Sequence, residues 1–474
     1  MKYRKIGFTN HPILGTVTFD FVNQSTGFPY QNVILAGENG IGKTVLLQFI
    51  NTFSPQQRRR DVGVVHLEIE VDDEDIRKLI DKNHETYGKV FSEGDLSNHL
   101  FVFDWDGSDT SAQNWGIGIY TDKDGIEQRK QGYLFTPLFR SIFSRAEINF
   151  TPKTVKAITA LEIDQQDLSQ SASSENLSTE IKQLLVDIHT QDALDCQEWI
   201  DAHPGVSPPD SVRHSRLHRF TEAFQGMFVS KRLVQVNTRK GSIDVIFEEN
   251  GKKMSIDVLS SGEKEIVFRG AYLLKDKQKS LGAIALVDEP ELSMHPKWEI
   301  KILDYYKNLF KDVNGNQLCQ LFIATHSVHV LKKALENKTD DLVIMLNRAS
   351  NGRILCTNVT APNKLGSVTS AETTYLAFGI YSVDYHIELF SEYQRRYGLN
   401  SIKAVDNSIM GTAEYNADLT KHHKHSEFWK NGVLMQEYET VCCLVRNHID
   451  HPDTSSAYTE EDLINSTELL RSLL

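Results

Sequence analysis

An octapeptide near the N-terminus has the residue types and the spacing of a phosphate-binding loop. Gly37 to Thr44 reads GENGIGKT and fits the pattern G-x-x-x-x-G-K-[ST]. In such a loop, glycines let backbone N–H groups face a polyphosphate, the lysine reaches the terminal phosphates and the threonine hydroxyl binds Mg²⁺. A glycine-rich turn without a ligand is the alternative. The expected nucleotide-binding residues are Gly37, Glu38, Asn39, Gly40, Ile41, Gly42, Lys43 and Thr44.

Two carboxylates follow a short apolar run later in the chain. The run GAIALV at 282–287 precedes Asp288, Glu289 and Pro290, and it predicts a buried parallel strand that delivers both acids to the sheet edge. We expect Asp288 and Thr44 to hold Mg²⁺, and Glu289 to polarise the attacking water. A solvated acidic turn would be the alternative without chemistry.

A histidine ends a second apolar run, CQLFIAT at 319–325. At this position His326 could contact the γ-phosphate or orient the water, as a second catalytic residue beside Glu289. A lone histidine at a strand end is more often only a polar terminus. The assignment of His326 therefore depends on the motifs that accompany it.

The heptapeptide LSSGEKE, from Leu259, predicts a turn that leads into an amphipathic helix. Ser260, Ser261 and Gly262 would then lie at a helix N-terminus, which is suited to an anion. The same residues also describe an ordinary helix cap with Glu263 in the first turn.

The elements that must position these residues can be predicted from the pattern of apolar residues. VILAG at 33–37 is typical of a buried strand, and KTVLLQFINTF at 43–53 is typical of the helix that follows it. Pro55 closes that helix. The sequence thus predicts strands whose ends carry the loop, the carboxylates and the histidine.

Taken together, GENGIGKT, LSSGEKE, DEPELSMHP and ATHS resemble the motifs of the ABC-type ATPase superfamily, in the branch of the structural-maintenance-of-chromosomes (SMC) and Rad-fifty repair proteins. The resemblance covers residues up to about 55 and from about 230 to 365. It implies an α/β P-loop fold that uses ATP and Mg²⁺. It also implies a head-to-tail homodimer or higher even oligomer, with Ser260 and Gly262 reaching the nucleotide of another subunit. Gln165 and Gln166 are too loosely spaced to be assigned as the glutamine that joins Mg²⁺ in this superfamily.

The chain divides into four predicted parts. Residues 1–55 and 230–365 form the nucleotide-binding core, 56–167 a β-rich insertion, 168–229 a short helical insertion and 366–474 a mainly helical C-terminal domain that binds a partner or acts as an effector. The helical insertion lacks sustained heptads, so the long coiled coil of a DNA-repair tether is absent.

The C-terminal region contains a second group of candidate residues. Arg446, Asn447 and His451 form an R-N-x-x-x-H arrangement that resembles the active motif of HEPN ribonucleases, which leaves an ATP-gated ribonuclease as an alternative function. Pro452 marks a helix end, where basic residues are favoured anyway, so structural use is preferred. The run of His422, His423 and His425 predicts a solvated turn, because no clear carboxylate pairing completes a metal site.

The whole arrangement resembles the ATPase subunit of the Septu anti-phage system, which also occurs beside some retrons. The resemblance rests on the four ATPase motifs, on compact size and on the terminal RNHIDHP. It implies a sensor and scaffold that controls an HNH endonuclease partner according to nucleotide state.

Composition limits the remaining function classes. The 474 residues carry a net charge of −13, which argues against general coating of nucleic acid. A local basic cluster leaves DNA contact as a hypothesis against a solvated face: Arg213, Arg216 and Arg219. No signal core or membrane-length apolar run is seen, and the five cysteines lack metal-ligand spacing, so we expect a cytoplasmic protein with reduced thiols.

Overall fold

A computed structural model of the protein describes residues 1–53, 63–88, 90–91, 99–106, 116–122, 124–146, 174–209, 212, 215–237, 244–274, 283–292, 294–431, 433–453 and 455–474. The chain forms two compact units, Met1–Asn358 and Val359–Leu474.

The first unit contains strands and helices in alternation. Its strands are β1 (Lys2–His11), β2 (Gly15–Asp20), β3 (Asn32–Ala36), β4 (Val64–Glu70), β5 (Leu100–Asp106), β6 (Ile117–Thr121), β7 (Glu127–Gln131), β8 (Ser141–Ser144), β9 (Lys231–Asn237), β10 (Asp244–Glu249), β11 (Lys252–Ser255), β12 (Ile284–Asp288), β13 (Gln320–Thr325), β14 (Asp341–Arg348) and β15 (Ile354–Asn358). Its helices are α1 (Lys43–Thr52), α2 (Asp73–Tyr87), α3 (Ser174–Ala202), α4 (Arg216–Met227), α5 (Ser261–Leu274), α6 (Pro296–Leu309) and α7 (Val328–Ala334), with 3₁₀ helices at Gly132–Leu138 and Ile256–Val258.

The central sheet of this unit has the strand order β15-β14-β3-β13-β12-β8. Its pairs are parallel except for the antiparallel β14–β15 edge. Strands β3, β12 and β13 are buried along their whole length, as expected of parallel strands with both faces covered. This buried mixed sheet confirms the predicted α/β class.

Register brings three strand ends to one edge of the central sheet, the P-loop edge. Ala36 at the end of β3 pairs with Thr325 at the end of β13, and Asp288 at the end of β12 pairs with Ala324. The glycine-rich loop, the two carboxylates and the histidine all follow these positions. The edge therefore collects residues that lie nearly 300 positions apart in the sequence.

Two further sheets complete the first unit. One is antiparallel, with the order β2-β1-β4-β5-β6-β7, and the other has the order β11-β10-β9. Inside the first of these, Phe135 packs edge-to-face against Phe101 and Phe103, with ring centroids 5.7 and 5.2 Å apart. Such aromatic contacts stabilise the sheet beyond the burial of area alone.

The second unit is mainly helical and carries one hairpin. Its helices are α8 (Ser370–Phe378), α9 (Val383–Tyr397), α10 (Ile402–Met410), α11 (Ala413–Ala417), α12 (Leu419–His422), α13 (Val441–Asp450) and α14 (Glu460–Leu473), and its strands are β16 (His423–Lys430) and β17 (Val433–Thr440). The buried carboxylate of Asp406 accepts hydrogen bonds from the N–H groups of Glu439 and Thr440 at 3.1 and 3.0 Å. This contact fixes the end of β17 on α10.

Most of the predicted secondary structure near the motifs is confirmed. The strands at 33–37, 282–287 and 319–325 correspond to β3, β12 and β13 within one or two residues. The helices predicted after the glycine-rich loop and after LSSGEKE correspond to α1 and α5. These segments have clear patterns because burial of an apolar face decides their conformation.

The region 56–167, predicted to be β-rich, contains β4 to β8 and also α2. Asp72 caps α2 by accepting a hydrogen bond from Asp75 N–H, the helix buries Ile76 and Leu79, and β8 joins the central sheet. One prediction about local structure was wrong. The histidine run does not form a turn, because His423 and His425 lie in β16. Strand pairing in the hairpin places these histidines in β16, and a run of histidines in the sequence does not reveal that pairing.

None of the described helices has the length together with the apolar content that a membrane span needs. Each cysteine of the chain is a free thiol, and burial raises the pKa of Cys319 and Cys442 to about 12.

Candidate nucleotide-binding site

The glycine-rich loop connects β3 to α1 through two strained glycines. Gly37 and Gly42 have φ angles of 153° and 107°, which favour glycine. A Cβ at Gly37 would lie 2.5 Å from the carbonyl oxygen of Leu346, and one at Gly42 would lie 2.5 Å from Cδ2 of Leu14. The loop therefore needs glycine at both positions for steric as well as conformational reasons. The intervening Glu38, Asn39 and Gly40 are exposed, while Ile41 is buried.

Lys43 lies folded against the loop. Its Nζ donates to the carbonyl oxygens of Gly37 and Glu38 at 2.6 and 3.0 Å. Burial lowers the pKa of Lys43, and the carboxylates of Glu289 and Asp288 oppose that shift. The helix that begins at Lys43 has no side-chain cap on its N-terminal N–H groups, since Gly42 precedes it. Open N–H groups beside a lysine fit a phosphate group.

Thr44 and Asp288 are in direct contact across the strand ends. Thr44 Oγ1 donates to Asp288 Oδ2 at 2.9 Å and lies 3.1 Å from Oδ1. Burial raises the pKa of Asp288, and the hydrogen bond from Thr44 partly offsets this. A hydroxyl and a carboxylate in contact are oxygen ligands of the kind that Mg²⁺ prefers. Gln165 and Gln166 lie outside the described residues.

Glu289 adopts an unusual backbone conformation directly after β12. Its φ angle is 44°, and its N–H donates to Ala324 O at 2.9 Å. Left-handed backbone at a residue other than glycine costs about 1–3 kcal/mol and is concentrated at functional sites. The partly exposed carboxylate lies 3.6 Å from His326 Nδ1. The structure thus brings together the two residues predicted to be catalytic.

Glu291 organises the histidine and was not singled out from the sequence. Its carboxylate is buried, and Oε1 accepts hydrogen bonds from Thr325 Oγ1 at 2.7 Å, His326 N–H at 2.8 Å and Ser327 N–H at 3.2 Å. A buried carboxylate with three donors fixes the backbone on which His326 stands. The signal in the sequence was the second acid of D-E-P-E.

Arg269 is the second residue that sequence reasoning missed. It is fully buried in α5, where it donates to Asp288 O at 3.2 Å, to Ala146 O at 2.7 Å and to Glu265 Oε1 at 2.9 Å. A guanidinium supplies several donors in a rigid plane, so one side chain ties the helix after LSSGEKE to the end of β12. The available signal was an arginine within the apolar run that follows Glu265, IVFRGAYLL.

The LSSGEKE turn forms a capping box within one chain. Ser260 N–H and Ser260 Oγ each lie 2.9 Å from Glu263 Oε2, and Glu263 also accepts a bond from Lys231 Nζ at 2.6 Å. Ser260 and Ser261 are exposed and Gly262 is buried beneath them. The cap accounts for Ser260 locally and leaves both serines facing outward.

The hypothesis of DNA contact was wrong for Arg216 and Arg219. Arg216 is buried and pairs with Asp192 at 2.8 Å and Asp195 at 2.9 Å. Arg219 is also buried and donates to Leu309 O at 3.1 Å. These guanidiniums hold α4 inside the unit, so they are withdrawn from any DNA backbone. Arg213 lies outside the described residues.

The R-N-x-x-x-H residues each have a structural contact of their own. Arg446 pairs with Asp450 and lies over the ring of Phe390 in α9, 5.9 Å from its centroid. His451 follows the end of α13 and stacks on Phe428 in β16, with centroids 4.8 Å apart. Asn447 is buried. Arg446 and His451 therefore each pack on a different aromatic ring, Phe390 and Phe428, as side chains with a structural use do.

The comparisons with known proteins agree with the geometry of the P-loop edge. Residues 33–332 match the family described as "AAA domain, putative AbiEii toxin, Type IV TA system". The chain belongs to this AAA-domain family. The matched range contains the whole P-loop edge.

Two curated relatives of this AAA-domain protein come from retrons. "Retron Ec83 probable ATPase" of Escherichia coli is 24% identical over 34% of the chain, and "Retron Vc95 probable ATPase" of Vibrio cholerae serotype O1 biovar El Tor is 32% identical over 20% of it. The chain spans 29% and 19% of the lengths of these relatives.

Solved structures similar to the chain include SMC head domains. The SMC head bound to the C-terminal winged-helix domain of ScpA is 12% identical, with a TM-score of 0.40 over 76% of this chain and 98% of that one. The SMC head domain from Thermotoga maritima is 13% identical, with a TM-score of 0.33 over 76% of this chain and 100% of that one.

Proposed function

We propose that this AAA-domain protein binds ATP with Mg²⁺ and hydrolyses it at the P-loop edge. The observation that carries the proposal is the contact of Thr44 with Asp288, 2.9 Å, beside the pair of Glu289 and His326. Thr44 and Asp288 would hold Mg²⁺, which would neutralise phosphate charge. Lys43 would leave the Gly37 and Glu38 carbonyls for the phosphates.

Glu289 is the group placed to activate water in this proposal. Its carboxylate would accept the proton of a water molecule as that water attacks the terminal phosphate, and His326 would orient the same water or contact the phosphate. Glu291 and Arg269 would be positioning residues, since they hold the backbone at His326 and at Asp288.

The proposal includes a composite site between two copies of the chain. Ser260 and Ser261 face outward at the N-terminus of α5, where a phosphate held by another copy would meet two hydroxyl groups and a helix dipole. Gly262 would contribute backbone at the same turn. A homodimer or a higher even oligomer follows from this pairing.

We further propose that nucleotide state controls an HNH endonuclease partner in anti-phage defence, as the resemblance to the Septu ATPase implies. The support is that the two curated relatives named above are each described as the probable ATPase of a retron. The packing of Arg446 and His451 on different aromatic rings supports a structural use of this motif over an autonomous ribonuclease.

The partner is tested by expressing the tagged chain with its native flanking genes and weighing the purified complex by native mass spectrometry. We expect an even number of copies of this chain together with an HNH polypeptide. Addition of ATP should change the fraction of the HNH polypeptide that dissociates from the complex. Purification of the chain with copies of itself alone would contradict the scaffold role, while leaving ATP hydrolysis to be judged by its own assay.

A further inference from the structure

The hairpin of the second unit carries a histidine and carboxylates on one face. Alternate residues of a strand point to the same side, and the buried Ser426 and Tyr438 mark the inward side. The outward side carries one histidine and three glutamates, which we call the ribbon face: His425, Glu427, Glu437 and Glu439. The sequence alone does not reveal this set of residues, because they come from two different strands.

The ligand atoms of the ribbon face converge. Those of His425, Glu427 and Glu437 all lie within 4.8 Å of one another. His425 Nε2 is 3.9 Å from Glu427 Oε1. Because zinc bonds to nitrogen and oxygen are about 2.0–2.2 Å long and tetrahedral, two ligand atoms of one ion lie roughly 3.3–3.6 Å apart. Small rotations of these side chains bring all three ligand atoms within this range.

Neighbouring groups already orient the histidine and one glutamate. His425 Nδ1 lies 3.0 Å from Glu439 Oε1, and Trp429 Nε1 donates to Glu427 Oε2 at 2.9 Å. A carboxylate at Nδ1 holds the proton there and leaves the Nε2 lone pair facing Glu427. Metal-binding histidines commonly have such a carboxylate behind them.

The register of the hairpin places like charges opposite each other. Glu427 pairs directly with Glu437 across the two strands. Like charges in directly opposed positions destabilise a hairpin. A cation between the two carboxylates would replace this repulsion by attraction to the ion. The contact of Asp406 with the end of β17 holds that strand in place whether or not an ion is bound.

We propose that the ribbon face binds one divalent transition-metal ion of the zinc class through His425 Nε2, Glu427 and Glu437. Glu439 is the positioning residue behind the histidine. One imidazole and two carboxylates suit Zn²⁺ and leave one position for water or for a ligand from a partner. The site lies in the other compact unit and does not depend on nucleotide binding.

Zinc is the probe for this site. The full chain is treated with a chelator, dialysed, and titrated with Zn²⁺ against a fluorescent zinc indicator in excess Mg²⁺. We expect one site per chain. The Glu427→Gln/Glu437→Gln variant should lose more than 100-fold in affinity, and Glu439→Gln should lose about 10–100-fold, as when a histidine's outer partner is removed.

A matched control separates coordination from charge. Glu460→Gln/Glu461→Gln neutralises two exposed acids in the first turn of α14 and should leave zinc affinity unchanged. Zinc should also change the fluorescence of Trp429, and Trp429→Phe should abolish that change. Circular dichroism melts confirm that each variant is folded. Wild-type zinc affinity in the Glu427→Gln/Glu437→Gln variant would overturn the proposal, as would a wild-type chain that binds no zinc.

Discussion

The P-loop edge and the ribbon face both place a histidine beside glutamates, but they hold them differently. At the P-loop edge, His326 lies 3.6 Å from Glu289, and its backbone is fixed by the buried carboxylate of Glu291. On the ribbon face, the exposed His425 is oriented by the side chain of Glu439. Buried backbone hydrogen bonds support the first arrangement, and solvent-exposed side-chain contacts support the second.

This difference separates rigidity from adaptability. A catalytic group must be held in place before substrate arrives. Buried hydrogen-bond partners hold it, and the removal of one such partner strongly destabilises the fold. Substitutions in an exposed set of ligands change the free energy of unfolding little. Such side chains become rigid only when an ion binds. In our proposals, histidine and glutamate would therefore serve preorganised catalysis in one unit and metal binding in the other.

The largest expected effect on stability comes from removing one acid in each region. Glu291→Leu leaves the Thr325 hydroxyl and the His326 N–H without their acceptor, so the free energy of unfolding should fall by about 3 kcal/mol. The matched Glu439→Leu should change it by less than about 1 kcal/mol, because its pair with His425 is solvent-exposed. Urea unfolding followed by circular dichroism measures both. Equal losses would remove the distinction between the regions.

A second change tests the metal preference of each region. Thr44→Ala removes an oxygen ligand beside Asp288, so affinity for ATP in the presence of Mg²⁺ should fall about tenfold, a loss of about 1.4 kcal/mol. Zinc binding at the ribbon face should not change. Thr52→Ala in the last turn of the same helix is the matched control and should behave as wild type. Unaltered Mg²⁺-dependent binding in Thr44→Ala would contradict the magnesium assignment.

The pH dependence of the P-loop edge follows from the burial of Asp288. Burial raises the pKa of this carboxyl, so protons compete with Mg²⁺ at a higher pH than for an exposed aspartate. Mg²⁺-dependent ATP affinity should weaken as pH falls toward that raised pKa. Binding titrations across pH, with and without Mg²⁺, measure this, and a Mg²⁺ effect that persists unchanged below pH 4 would contradict it.

The raised pKa of Asp288 also makes stability depend on pH, in the opposite direction: stability falls as pH rises, whereas Mg²⁺-dependent ATP affinity rises. Between the unfolded and the folded pKa, the folded state holds the proton more strongly, so Asp288 lowers stability as pH rises through that window. Asp288→Asn should therefore raise the melting temperature at pH 7 without Mg²⁺ while it abolishes the gain from Mg²⁺. A lower melting temperature would show that Asp288 is not held at a raised pKa.

The smallest effect is expected at the rejected ribonuclease motif. His451→Ala removes a ring stacked on Phe428, which contributes about 0.5–1.5 kcal/mol, and it leaves the ribbon face in place. Phage protection and ATP turnover should stay at wild-type levels in a plaque assay and a phosphate-release assay. Loss of protection with normal folding would restore the autonomous-ribonuclease alternative.

The P-loop edge could be predicted because each of its parts is local. GENGIGKT, Asp288 with Glu289, and His326 each follow a short apolar run, and parallel strands bring their ends to one edge. The same reasoning missed Glu291 and Arg269, whose hydrogen bonds depend on tertiary packing.

The ribbon face could not be predicted, because it depends on cross-strand register. His425 and Glu427 alternate on β16, but Glu437 joins them only when the hairpin pairs as it does. The hypothesis of DNA contact failed for a related reason. Arg216 and Arg219 look solvent-facing in the sequence, yet Arg216 pairs with Asp192 and Asp195, and Arg219 donates to a backbone carbonyl inside the unit.

The central claim is that the P-loop edge hydrolyses ATP with Glu289 as the base, and steady-state phosphate release from Glu289→Gln tests it most directly. The account predicts turnover about 10²–10⁴-fold below wild type with ATP affinity retained, since the amide cannot accept the proton of water. Glu336→Gln, an exposed acid of the same unit, should turn over ATP at the wild-type rate. Turnover in Glu289→Gln equal to that of wild type would contradict the account.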